Sequence, residues 1–158
     1  MRKYIEVSVF VEFQENITTM SCCSHSNNHN KLVIIKNPKS GLVLDASEYN
    51  VKLQKYTGKL SQLWKLECID YGRFIIINRD NGKVLDIEGG TKSEAKLITF
   101  KRHGETNQQW HFNSDGTIVC PEKTLAVDIY GGKYTEGNNI IAFPKHGIHN
   151  QVFQLEYK

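Results

Sequence analysis

Three stretches of this chain repeat one pattern: an apolar residue and an aspartate, then, after about twenty residues, glutamine, a variable residue and an aromatic ring. The copies are Leu44-Asp45 with Gln62-Leu63-Trp64, Leu85-Asp86 with Gln108-Gln109-Trp110, and Val127-Asp128 with Gln151-Val152-Phe153. A period of about 40 residues marks a fold built from one supersecondary unit used several times. The acids keep a nearly constant step while the gap from acid to ring lengthens after the first copy. Loops therefore differ while strands hold register.

Each unit reads as short strands. Residues 31–36, 73–77 and 117–120 are β-rich, and the acids are followed by polar and glycine residues, then strands at 51–56, 96–101 and 139–143. A last strand carries the Gln-x-aromatic element, giving four strands per unit and about twelve in all. Asn81-Gly82 suits a type I′ turn, whose two central residues need positive φ. The third unit has Pro121-Glu122-Lys123 and no matching glycine, so its turn is expected to differ. No segment shows sustained helical periodicity. Threefold repetition of short strands favours an all-β closed barrel, with Trp64, Trp110 and Phe153 meeting in its core.

At 158 residues the chain fits one domain, residues 31–158, with an extension at 1–30. In the extension Ile5, Val7, Val9, Val11 and Phe13 alternate as in a strand with one apolar face, which could pack on the barrel, fray, or pair with another chain as a homo-oligomer contact. A polar stretch at 24–30 follows it. The net charge of +3 is spread out, with Lys101-Arg102-His103 the longest cationic cluster, so nucleic acid is not an expected partner. No apolar run reaches about 18 residues, so no membrane insertion is expected. Glu6 and Glu12 interrupt what would be the apolar region of a secretion signal. The cysteines Cys22, Cys23, Cys68 and Cys120 show no disulfide pattern, and free thiols with a cytoplasmic location are expected, secretion being the alternative. No zinc-type spacing occurs around Cys22-Cys23, and neither metal nor cofactor is expected.

With these motifs in view, the sequence from about Lys31 to Lys158 resembles the ricin B-type lectins, which are β-trefoils of three pseudo-repeats. The resemblance rests on the threefold repeat, the apolar-Asp element and the Gln-x-Trp element; the third copy departs from it only in Phe153. It implies one shallow sugar site per unit, built from an aspartate, an aromatic platform and an Asn-Gln pair. In the third unit these are Asp128, Phe143, Asn150 and Gln151, with His146 at the rim. In the second they are Asp86, Phe100, Asn107 and Gln108, with His103. The first unit offers Asp45, Gln54, Tyr56 and Gln62, but has Ser61 where the pattern has asparagine. Galactose or N-acetylgalactosamine is the sugar the resemblance implies.

The residue types suit that task. A ring covers the C–H face of a pyranose. An ionised aspartate accepts charge-assisted hydrogen bonds from hydroxyls. An asparagine amide both donates and accepts. No nucleophile–base pair or carboxylate pair stands at a convincing spacing, so no enzyme is expected. The alternative is a protein-interaction module or protease inhibitor on the same fold. The lectin reading requires Asp128, Phe143 and Asn150 to converge, with the carboxylate open to solvent.

Overall fold

A computed structural model describes residues 31–70 and 72–158. The expected strand at residues 5–13 and the Cys22-Cys23 stretch lie outside the described residues. Twelve strands follow in order: β1 (Leu32–Lys36), β2 (Val43–Asp45), β3 (Lys52–Gln54), β4 (Trp64–Asp70), β5 (Arg73–Asn78), β6 (Val84–Ile87), β7 (Leu97–Phe100), β8 (Trp110–Phe112), β9 (Ile118–Cys120), β10 (Leu125–Ile129), β11 (Ile140–Pro144) and β12 (Gln154–Tyr157). This is the all-β, threefold arrangement expected from the repeat.

Six strands form the barrel wall through the antiparallel ladders β12–β1, β1–β4, β4–β5, β5–β8 and β8–β9. The seam between β9 and β12 is closed by the Phe153 N–H donating to the Gly116 carbonyl at 2.9 Å. Gly116 has φ +82°, and a Cβ there would lie 2.9 Å from Val152 Cγ1, so only glycine lets the two segments approach this closely. Among the described residues the closed wall leaves its six strands without an open edge.

The hairpins β2–β3, β6–β7 and β10–β11 cap one end. Bridges Asn50↔Ile98, Lys96↔Ile141 and Lys52↔Asn139 link each cap to the next in a cycle. Every unit therefore touches the β-hairpin that carries its neighbour's acid.

The core lies between wall and caps. Trp64 and Trp110 are completely buried and Phe153 nearly so, as expected. Each tryptophan donates its indole N–H to the carbonyl just before its unit's acid: Trp64 to Leu44 at 3.4 Å and Trp110 to Leu85 at 3.1 Å. The apolar-Asp element is thus one device. Leu44, Leu85 and Val127 are core residues, and the aspartate following each leaves the strand on the opposite side.

Two turn expectations need correction. Asn81 does not have positive φ, so Asn81-Gly82 is not a type I′ pair. Instead four residues, 79–82, link the paired ends Asn78 and Lys83, and Gly82 alone is left-handed at φ +66°. The third unit keeps this loop length: Leu125 pairs with Cys120 as Leu42 bonds Asn37. The glycine position, Gly41 and Gly82 in the other units, is held by Thr124 at φ +51°. Strand pairing on both sides fixes the turn, and a β-branched residue is driven into the left-handed region. That conformation costs an L-residue roughly 1–2 kcal/mol, against roughly 0.5–1 kcal/mol for glycine's extra backbone entropy. Thr124→Gly is expected to raise stability by about 0.5–1 kcal/mol, read from the urea midpoint at unchanged m-value.

Cys68 is disulfide-bonded, which corrects the free-thiol expectation there. Cys120 is free and buried, and burial raises its thiol's pKa.

Candidate functional site

In the third unit β10 carries Asp128, paired in register with Ile141 of β11. The chain leaves β11 after Phe143 and Pro144, turns through His146 and Gly147, and enters a short 3-10 helix, His149–Gln151. That helix returns an amide pair to the acid. Gln151 Nε2 donates to Asp128 Oδ2 at 2.7 Å, and Asn150 Nδ2 donates to Oδ1 at 2.9 Å. Gln151 also gives Nε2 to the Pro144 carbonyl and accepts the His146 and Gly147 N–H groups on Oε1. One side chain thereby ties acid, strand end and turn together.

His146 completes the clamp. Its Nδ1 accepts the Ile148 N–H at 3.1 Å, so the neutral ring carries its proton on Nε2. That nitrogen lies 3.4 Å from Asp128 Oδ2. The Phe143 ring stands edge-on to the imidazole at 6.1 Å between centroids. Asp128, Phe143 and Asn150 thus converge, with His146 between ring and acid.

The second unit builds the same object. Gln108 Nε2 donates to Asp86 Oδ2 at 2.6 Å, and Asn107 Nδ2 to Oδ1 at 3.0 Å. His103 Nδ1 accepts the Glu105 N–H and its Nε2 lies 3.2 Å from Asp86 Oδ2. Phe100 is 45% exposed and meets His103 edge-on at 6.1 Å. One difference is chemical. Asn107 also donates to the Ile87 carbonyl, so both its N–H bonds are used and only its Oδ1 is left to offer. Asn150 keeps one N–H and its Oδ1.

The first unit retains only the acid and its glutamine. Gln62 Nε2 donates to Asp45 Oδ2 at 2.9 Å, but Oδ1 is taken by the Ser47 N–H at 2.7 Å. Register corrects the expected platform. Val43 pairs with Gln54 as Val84 pairs with Phe100 and Ala126 with Phe143, so Gln54 holds the ring position. Tyr56 lies two residues further on, under the Lys158 ammonium at 5.2 Å. Thr57 stands at the histidine position, its N–H bonded to Gln62 Oε1. Ser61, in the asparagine's place, is buried with its hydroxyl unpartnered.

The expectation of a carboxylate open to solvent is contradicted. Asp86 and Asp128 are each 3% exposed. A carboxylate has about four acceptor positions. The glutamine takes one on Oδ2, which the histidine Nε2 also approaches to 3.2 or 3.4 Å, and the asparagine takes one on Oδ1, leaving a position on Oδ1 beside it. Burial raises the pKa of both carboxyls, and the amide and imidazole hydrogen bonds only partly offset it. Between the unfolded value and the raised one, the folded chain keeps a proton that the unfolded chain has released. Stability therefore falls as pH rises through that window. Ionised acids held at a cost to folding are a mark of sites selected for ligand rather than stability.

Sequence reasoning missed Tyr49 and Tyr134. Tyr134 packs against the core near Asp128 beneath the Lys39 ammonium, 4.9 Å from its ring. Tyr49 belongs to the first unit yet its carbonyl accepts the Thr99 N–H of the second unit's β7. Neither recurs in the other copies, so the repeat gives no signal for them.

Comparison with known proteins fits this geometry. The ricin-type beta-trefoil lectin domain-like family matches residues 19–100 and again 60–143, the overlap expected when a repeat aligns in two phases. The chain belongs to the ricin-type β-trefoil lectin family. Nigrin b of Sambucus nigra is 36% identical over 93 residues, 58% of this chain but 16% of Nigrin b, so the chain spans a small part of that relative. The designed threefold-symmetric protein ThreeFoil superposes with a TM-score of 0.74 at 28% identity, covering 78% of this chain and 96% of ThreeFoil. The Macrolepiota procera ricin B-like lectin, solved with lactose, gives 0.70 at 20% identity, covering 84% and 99%. That last likeness speaks to the fold.

Proposed function

We propose that the chain is a lectin holding galactose-type sugars, galactose or N-acetylgalactosamine, at the Asp128 and Asp86 sites, and that the first unit holds none. The observation that carries this reading is the twofold construction of one clamp, in which glutamine, asparagine and histidine fix a carboxylate beside a solvent-reaching ring. A protein-binding module or inhibitor would not need the same acid, ring and amide twice. A sugar hydroxyl donates to the open position on Oδ1, a second meets the asparagine, and the C–H face lies on Phe143 or Phe100. Galactose, with one axial hydroxyl, offers one broad apolar face to such a ring. Family membership and the lactose complex of the Macrolepiota procera lectin support the choice. No bond is made or broken in this function.

Three or four hydrogen bonds at roughly 0.5–1.5 kcal/mol each are enough for millimolar affinity, which needs about 4 kcal/mol. Two such sites on one rigid body engage clustered glycans with avidity. Calorimetric titration with galactose is expected to give two sites per chain; a folded chain that releases no heat with galactose or N-acetylgalactosamine would overturn the reading. Affinity is expected to fall on acidification, as the acids take up protons and lose the charge that strengthens their bonds. Because burial raises both pKa values, the fall begins above the pH at which an ordinary aspartate titrates. Affinity that is flat down to that ordinary range would refute the role given to the ionised acids.

A further inference from the structure

The caps place a residue of the first unit beside the second unit's acid. Asp86 pairs with Ile98 of β7, and Ile98 is bridged on its other side by Asn50. The Val51 N–H donates to the Leu97 carbonyl at 2.8 Å, and the Thr99 N–H donates to the Tyr49 carbonyl at 3.4 Å. These bonds seat Tyr49 against the strand that ends in Phe100. Its ring is 53% exposed. Glu88, the first residue after β6 and two on from Asp86, lies close enough to the Tyr49 hydroxyl to add to the rise in pKa that burial begins. Glu88 is itself exposed.

The other two acids have no tyrosine at the bridged position. By the same cyclic bridging, the residue beside Asp128 is Ala95, preceding Lys96, which bridges Ile141. The one beside Asp45 is Asn138, whose amide is spent on the Tyr130 and Lys133 carbonyls. In place of Glu88 those units have Tyr130 and Ser47.

We propose that Tyr49 and Glu88 form an added subsite of the Asp86 site, which holds the next residue of a galactose-terminated disaccharide. Galactose fills the position between Asp86 and Phe100. The adjoining sugar lays its C–H face on Tyr49 and gives hydroxyls to Glu88. The inference rests on the lectin reading and deepens it: the two working sites differ in the length of glycan they read.

The test uses the full chain, isotope-labelled, with galactose compared with lactose and the β1-3- and β1-6-linked galactobioses. The His103 and Gly104 amides, both bonded to Gln108, report the second site, and the His146 and Gly147 amides, both bonded to Gln151, report the third. At least one disaccharide is expected to bind the second site about fivefold or more tighter than galactose, the size of one aromatic contact, with a ratio near one at the third. Tyr49→Ala is expected to bring the second-site ratio to near one, and Glu88→Gln to lower it. The subsite is overturned if no disaccharide is preferred there, or if the preference survives Tyr49→Ala. Shifts at neither site with any sugar would fell the lectin reading, and the subsite with it; shifts at both sites without a Tyr49-dependent preference fell the subsite alone.

Discussion

Trp110→Ala is expected to destabilise the chain by about 3–5 kcal/mol, leaving it largely unfolded if its total stability lies at the low end of the roughly 5–15 kcal/mol of ordinary domains. Trp110 has no exposed surface and sits in the cluster joining wall to caps. The loss includes the transfer of the ring, the cavity it leaves, and the Leu85 carbonyl stripped of its 3.1 Å indole bond. That carbonyl immediately precedes Asp86, so the second site's acid loses its anchor as well. The third unit supplies a natural control, since Phe153 fills the same place with no N–H. Trp110→Phe is accordingly expected to cost clearly less than the alanine change. Urea unfolding followed by circular dichroism measures both; an alanine variant within about 1 kcal/mol of the parent would contradict the core assignment.

Asp128→Ala is expected to do the reverse: galactose binding at the third site disappears while the fold persists. The carboxylate provides the single charge-assisted acceptor there, worth about 1.5–3 kcal/mol, a large part of a millimolar affinity. The structural loss is small. Gln151 keeps the Pro144 carbonyl and the His146 and Gly147 N–H groups, and the cost of burying a charge is removed with it. Calorimetric stoichiometry should fall from two to one, and with Asp86→Ala in addition to zero, at an unfolding midpoint far above that of Trp110→Ala. Undiminished binding in the double variant would remove both acids from the site.

What was legible in the sequence follows from what the fold holds constant. The ring, the apolar residue and the acid are one mechanical unit, in which Trp64 and Trp110 hydrogen-bond the carbonyls preceding Asp45 and Asp86. Their spacing therefore survives loop variation, and strands and core could be read directly. Tyr56 misled because residue type was read without register. Only the pairing of Asp45 with Lys52 shows that Gln54 stands where Phe100 and Phe143 do. Thr124 misled in the same way: a missing glycine suggested a new turn, whereas flanking pairs imposed the old one. The depth of the acids was not legible, because it comes from the turn and short 3-10 helix folding back over each strand: even Asp45, with Thr57 at the histidine position, is 5% exposed. Tyr49 was beyond reach, since the Asn50↔Ile98 bridge joins different units.

The most direct measurement is a galactose titration of the isotope-labelled chain, following one amide pair per unit. Saturable shifts are expected at His103 and Gly104 and at His146 and Gly147, whose glutamines hold Asp86 and Asp128, with Thr57, the equivalent beside Gln62, unmoved. Shifts confined to Thr57, or none at any of these amides up to tens of millimolar sugar, about tenfold above a millimolar Kd, would contradict two clamped carboxylates as the sugar sites.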